Sequence, residues 1–332
     1  MNSQHGFHHI LVATDFSSPA EAAFQQAVWL ARETGASITL AHVLPTLRRS
    51  SPSAAGPKMD LFLDLLVNEG EAFEDYESAA IREAHAKLVR LTVRLAGSIE
   101  VQNKVYIGES YVEITHAVQQ EGYDLVLAGT RGLAQWEQFL VGSTAKRLIR
   151  KCPAAVWIVK EEHVGQPKVV LAATDFSEVS RKAVMQGLLI AQYAKAEFHL
   201  LHVVDSNDVP EDVISRIPKG SSLQQEIVQE ASERMDRFVD SLVVDRACIQ
   251  VHQSWGTPWQ EIGRAAKFQA ADLVVIGTVG RSGIQGLLLG NTADKVLDTC
   301  DCSILAVKPD NFISPIDPAS GRVHQGPKIN RP

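Results

Sequence analysis

Asp124-Leu125-Val126-Leu127-Ala128-Gly129-Thr130-Arg131-Gly132 runs from an apolar strand candidate straight into glycines, and Gly142-Ser143-Thr144 follows after nine residues. The pattern recurs as Gly277, Gly280 and Gly290, after Leu273-Val274-Val275-Ile276. Glycine has no Cβ, so its backbone N–H groups approach a phosphate closely. The third glycine of each set opens a helix candidate, Ser143 to Arg150 and Asn291 to Thr299. The free N–H groups and positive dipole end of such a helix face an anion. Two anion-binding elements at fixed spacing, present twice, predict a nucleotide site that was built and then duplicated.

Working outward, the duplication extends over whole domains. Ala13-Thr14-Asp15-Phe16-Ser17 returns unchanged as Ala173-Thr174-Asp175-Phe176-Ser177. His42-Val43 returns as His202-Val203, Asp124-Leu125-Val126 as Asp272-Leu273-Val274, and Thr144-Ala145 as Thr292-Ala293. A repeat of this length is a domain rather than a solenoid unit.

Each half alternates short apolar strands with helices. The strands are predicted near 9–14, 37–43, 100–106, 124–129 and 155–159, then near 168–174, 197–204, 247–252, 272–277 and 303–307. The helices are predicted near 19–34, 71–96, 111–121 and 143–151, then near 178–195, 222–243, 258–269 and 290–299. Such alternation implies an α/β fold of parallel strands, here two tandem open five-stranded sheets. Ligands of open α/β sheets bind beyond the carboxyl ends of the strands. Asp15, Val43 and Gly129 end three strands of the first half, and Asp175, Val203 and Gly277 end their counterparts. Each trio should converge on one crevice. The domains are expected at 1–160 and 168–310, joined by a linker at 161–167, with disorder over 311–332. The Ser-, Pro- and Gly-rich stretch from Pro45 to Pro57 reads equally as a lid over the crevice or as a solvated loop.

The 332 residues carry a net charge of −7, with 45% hydrophobic and 21% charged side chains. No basic stripe dominates, which argues against a nucleic-acid partner. Apolar runs end after about six residues, far short of a membrane span. Met1 to His9 holds no apolar segment, so a cytoplasmic chain without a secretory signal is expected. Cys152, Cys248, Cys300 and Cys302 are poorly spaced for a metal and read as reduced, buried or half-buried thiols. No metal site is predicted.

The Asp that ends the opening strand, the His-Val of the second strand, and the glycine spacing after the fourth strand together resemble the universal stress protein family. The resemblance covers roughly 7–160 and 167–310 and is to its tandem two-domain type. Gly290-Asn291-Thr292-Ala293-Asp294 and Lys308-Pro309 carry the likeness to the enteric E-type subgroup. The resemblance implies the family's nucleotide-binding fold and an adenine nucleotide, ATP or else AMP or ADP, with Mg an open accompaniment. It implies that Asp15 lies by the nucleoside, that Val43 meets adenine through its backbone, and that Gly129, Gly132, Gly142, Ser143 and Thr144 hold ribose and phosphates. The second-copy counterparts are Asp175, Val203, Gly277, Gly280, Gly290, Asn291 and Thr292. Asn291 departs from the Ser or Thr of the motif, so the first copy is the preferred site. The resemblance further implies that the last strand of each half pairs with its counterpart. The two halves then satisfy each other within one chain, and further homodimerisation stays open.

Other readings stand beside these. Asp15 reads alternatively as a cap for the following helix rather than a ligand contact. His42 and His202 sit in apolar strands and read as core histidines making one hydrogen bond rather than as bases. Gly129 and Gly277 serve turn geometry under the plainer reading. Arg131, Lys146 and Arg147 are placed to meet phosphate, or simply to be solvated, and Trp136 to cover the pocket or pack between domains. No Walker A lysine follows the glycines, and no nucleophile elbow or kinase motif is present. The function expected is a stress-response, nucleotide-binding module with little or no catalysis. A slow ATPase, or a binder of an apolar metabolite in the second pocket, are the alternatives.

Overall fold

The computed structural model describes residues 6–46, 70–130, 141–205, 222–242, 244–280 and 289–319. The stretches that hold Arg131, Gly132 and Trp136, and all of the Pro45–Pro57 stretch beyond Thr46, lie outside the described residues.

Helix α1 (Ser18–Thr34) follows β1 (His9–Ala13), with Ser17 at its N-cap and Pro19 in its first turn. It stops at Gly35, whose φ of 75° is the left-handed cap that ends many helices. The first half continues with β2 (Ser37–Leu44), α2 (Gly70–Leu95), β3 (Val101–Ile107), α3 (Ser110–Glu121), β4 (Leu125–Gly129), α4 (Ser143–Lys151) and β5 (Ala155–Val159). The second half repeats the order with β6 (Val169–Thr174), α5 (Glu178–Ala194), β7 (Glu197–Asp205), α6 (Ser222–Asp240), β8 (Gln250–Gly256), α7 (Pro258–Phe268), β9 (Leu273–Gly277), α8 (Asn291–Thr299) and β10 (Ser303–Val307). Strand β8 begins three residues later than expected. Asp245 accepts a hydrogen bond from the Ala247 N–H at 3.0 Å, which holds Arg246–Cys248 in a short 3-10 turn first.

The strands form one sheet in the order β3-β2-β1-β4-β5-β10-β9-β6-β7-β8. Every pair is parallel except β5 with β10, which is antiparallel and joins the two five-stranded halves. Trp157 stands opposite Leu305, with Val156 opposite Ala306 and Ile158 opposite Ile304. The last strands thus pair as the resemblance implied, and they make one continuous ten-stranded sheet.

Alternate residues of each strand serve opposite faces, and the core divides accordingly. Leu125, Leu127, Trp157, Leu305 and Val307 belong to one buried cluster, with Phe24 of α1, Leu88 of α2, Val184 of α5 and Phe238 of α6. Val126, Ile158, Ile304 and Ala306 belong to the other, with Ile114 of α3, Leu148 of α4, Ile262 of α7 and Val296 of α8. Burial on both faces accounts for the unbroken apolar runs of the strands.

The link between halves holds a 3-10 turn at Glu161–His163 and is tied to both. The Gly165 N–H donates to Gln26 Oε1 at 2.8 Å, and His163 Nδ1 lies 3.0 Å from Asp272 Oδ1. The carboxyl segment departs from the expected disorder at 311. Ile316 is fully buried in the cluster beneath α3 of the first half. Gln119 Nε2 donates to its carbonyl at 3.1 Å, and Gln120 Nε2 donates to the Pro318 carbonyl at 2.6 Å. One apolar anchor and amide side chains that meet the backbone suffice to order 311–319. Cys152, Cys300 and Cys302 are buried free thiols as expected, whereas Cys248 is exposed. No helix among the described residues is long and apolar enough to cross a membrane.

Candidate nucleotide-binding site

The order β2-β1-β4 sets three carboxyl ends side by side, and β1 lies at the switch in strand order where ligands of such sheets bind. Ala13 is in register with Ala41 on one side and Ala128 on the other. Asp15, Val43 and Gly129 therefore emerge on one rim, as the sequence predicted. In the second half β7-β6-β9 does the same for Asp175, Val203 and Gly277.

Local hydrogen bonds define the turn that carries Asp15. Thr14 Oγ1 accepts from the Phe16 N–H at 3.0 Å, and Asp15 Oδ1 accepts from the Ser17 N–H at 3.1 Å and the Ser17 hydroxyl at 2.5 Å. Phe16 consequently takes a left-handed φ of 65°, a strained position for an aromatic residue. The second copy reproduces all of this. Phe176 has φ 66°, and Asp175 Oδ1 accepts from Ser177 N and Oγ at 3.0 and 2.6 Å. One carboxylate oxygen of each Asp thus shapes the turn rather than capping the helix. Ser17 and Ser177 occupy the cap positions.

The two histidines explain how such a turn is held. His42 Nδ1 donates to the Thr14 carbonyl at 2.7 Å, and its ring lies 4.5 Å from that of Phe16. His202 Nδ1 donates to the Thr174 carbonyl at 2.8 Å beside Phe176. A carbonyl only accepts, so Nδ1 of each ring carries the hydrogen. These are positioning residues, in line with the core reading of the sequence.

The glycines divide by role. A Cβ on Gly129 would stand 2.5 Å from the Pro19 carbonyl carbon, so this glycine lets the first turn of α1 press on β4. Gly277 is looser, with Val179 Cγ1 at 3.0 Å. Gly280 brings the loop against the carboxylate, since a Cβ there would stand 2.7 Å from Asp175 Oδ2. Gly142 and Gly290 turn the chain back: their N–H groups donate to the Thr130 and Thr278 carbonyls at 2.5 and 2.7 Å. Each then serves as the N-cap of its helix and offers no side-chain cap.

The first intrahelical bond of α4 runs from Lys146 N to the Gly142 carbonyl at 3.0 Å. The N–H groups of Ser143, Thr144 and Ala145 precede it and form the open, positive end of the helix. Ser143 and Thr144 are exposed, so their hydroxyls are accessible there. In α8 the same end is formed by Asn291, Thr292 and Ala293. The charge behind the two ends differs. The first turn of α4 carries no acid, whereas that of α8 carries Asp294. The cations of α4 are engaged: Lys146 pairs with Asp298, and Arg147 Nη1 lies 2.5 Å from Glu109 Oε1.

A pair of residues on this rim escaped the sequence reading. Gly108 directly follows β3 and Gly256 ends β8, with φ of 155° and 151°. A Cβ on Gly108 would stand 2.2 Å from Glu113 Oε1, and one on Gly256 would stand 3.1 Å from Glu261 Oε1. Burial pushes the Glu113 carboxyl above its ordinary pKa. The repeated G-x4-E spacing was the available signal.

A profile of the universal stress protein family matches residues 6–160 and 167–308. The universal stress protein E homolog of Haemophilus influenzae is 26% identical over 262 residues, 74% of this chain and 82% of that protein. Universal stress protein E of Escherichia coli K12 is 26% identical over 224 residues, 64% of this chain and 69% of that protein. A functionally unknown protein from Pseudomonas aeruginosa PAO1 has the same fold, with a TM-score of 0.63 at 22% identity over 93% of this chain and 95% of its own. The chain belongs to the universal stress protein family and carries two of its domains in tandem.

Proposed function

We propose that the chain is an adenine-nucleotide-binding module of the stress response, loaded in its first half and with little or no turnover. The observation that carries this reading is the open end of α4. Three backbone N–H groups precede its first bond, its first turn has no acid, and it starts at the rim where Asp15 and Val43 emerge. That arrangement suits the phosphates of ATP, with Ser143 and Thr144 as hydroxyl partners and Val43 beside the base. Gly132 and Gly142 complete the cradle on the strength of the motif. AMP or ADP would use the same contacts, and Mg, when present, would neutralise phosphate charge.

Weak catalysis follows from the same residues. Phosphoryl transfer needs free cations and an oriented water at the γ-phosphate. Lys146 and Arg147 are held by Asp298 and Glu109, and no Walker lysine is present in the sequence. Backbone contacts hold ground and transition states alike, which gives binding without rate. Equilibrium dialysis with ATP and AMP, paired with a phosphate-release assay with Mg, tests the reading. Saturable binding with release far below about 1 per second supports a binding module. Release near that rate, abolished by Asp15→Ala, would make the protein an ATPase. Retention of an apolar metabolite instead of nucleotide would favour the third reading.

A further inference from the structure

The joint between the halves is built from equivalent positions that do not carry equivalent residues. Offsetting the first half by the repeat places Lys146 on Asp294 and Arg150 on Asp298. Across the joint the pairs cross over: Lys146 bonds to Asp298, and Arg150 Nη2 lies 2.8 Å from Asp294 Oδ1. These side chains are one-quarter to one-half exposed, so each pair by itself is weakly stabilising. Their arrangement matters more than their strength. Two first halves joined the same way would set Lys146 against Arg150 twice. Two second halves would set Asp294 against Asp298 twice.

Packing on the strands repeats the asymmetry. Trp157, 1% exposed, stands directly opposite Leu305, fully buried, at the centre of the β5–β10 pair. These two are repeat equivalents, so a pair of first halves would oppose Trp157 to itself, and a pair of second halves Leu305 to itself. Directly opposed side chains have Cβ atoms about 5 Å apart, where one excess ring overfills and one missing ring leaves a void. The Lys160 N–H donates to Ser303 Oγ at 3.0 Å, and the repeat equivalent of Ser303 is Ala155, which has no hydroxyl.

We infer that this joint is a heterotypic lock: the β5–α4 face of a first half accepts the β10–α8 face of a second half and rejects its own kind. The partner of each face is therefore the other half of the same chain. Two chains associate through these faces only by reciprocal exchange of halves.

Charge reversal in the full-length chain tests this. K146D/R150D makes both helices acidic, and D294K/D298R makes both basic. Each double variant should melt roughly 2–6 °C below the parent. The quadruple variant restores opposite charges in reversed sense, and it should regain the parent's melting point as a one-chain species. An equimolar mixture of the two double variants should form a species of twice the one-chain mass by light scattering, containing one of each. Failure of a double variant to fold while the quadruple folds supports the lock equally. A quadruple variant no better than the doubles, or doubles as stable as the parent, would overturn it. So would self-association of either double variant alone to a dimer as stable as the mixed species.

Discussion

The open ends of α4 and α8 stand on the same scaffold and address the same kind of rim, yet they present different charge. Ser143-Thr144-Ala145-Lys146 leads one helix and Asn291-Thr292-Ala293-Asp294 the other. An acid in a first turn stabilises its own helix and repels an incoming anion. Arg150 from the first half offsets Asp294 only in part, because both side chains of that pair are substantially exposed and solvent screens it. By contrast, the hydrogen bonds that Thr14 and Asp15 accept in the first turn recur at Thr174 and Asp175, at 3.0, 3.1 and 2.5 Å against 3.0, 3.0 and 2.6 Å. Duplication kept the turn that frames the rim and let the open helix ends diverge in charge.

The largest expected difference between the halves lies in the packing glycines. Gly129→Ala forces a Cβ into the Pro19 backbone, which cannot turn aside, and should destabilise by about 3 kcal/mol. Gly277→Ala meets first the end of the Val179 side chain, and should cost about 1 kcal/mol. Urea unfolding of the two variants measures both. Equal losses would remove this distinction between the copies.

A smaller contrast concerns Lys308 and its equivalent Lys160. Lys308 is 2% exposed, with its Nζ 4.2 Å from the centre of the Phe312 ring, and burial lowers its pKa to about 7. Above that pH the unfolded chain binds a proton on this lysine that the folded chain lacks. Stability from this group therefore rises with pH above 7, by up to about 1.4 kcal/mol per pH unit until the ordinary lysine value is approached. Unfolding at pH 7 and pH 9 should show the parent gaining about 2 kcal/mol more than Lys308→Met. Below pH 7 both states are protonated and the slope should vanish. An identical pH dependence in both proteins would sink the assignment.

Much of this could be read from the chain. The repeated Ala-Thr-Asp-Phe-Ser and the glycine spacing located both halves, the rim, and the strands that end on it. Alternation of apolar strands with helices was enough because both sheet faces are covered. What stayed hidden depended on partners far away in sequence. The role of Gly129 is defined by Pro19, and the second role of Lys146 by Asp298. The ordering of 311–319 rests on α3 of the other half, which no local composition reveals. The left-handed Phe16 broke a local rule that only its hydrogen-bonded turn justifies. Gly108 and Glu113 carried a repeated spacing that went unread.

The smallest contrast is at the helix caps. Ser177 Oγ accepts from the Ser180 N–H at 3.2 Å, whereas Ser17 makes no such cap bond. Both hydroxyls donate to their Asp, so Ser177→Ala should cost about 0.5–1 kcal/mol more than Ser17→Ala. Thermal unfolding of the two variants decides this, and a larger loss at Ser17 would reverse it.

Native mass spectrometry of the full chain with ATP tests the central claim most directly. The account expects one adenine nucleotide per chain, lost in Gly142→Val and retained in Gly290→Val, because the acid-free end of α4 is the one that holds phosphate. No bound nucleotide at saturating ATP, or loss of the nucleotide only in Gly290→Val, would contradict it.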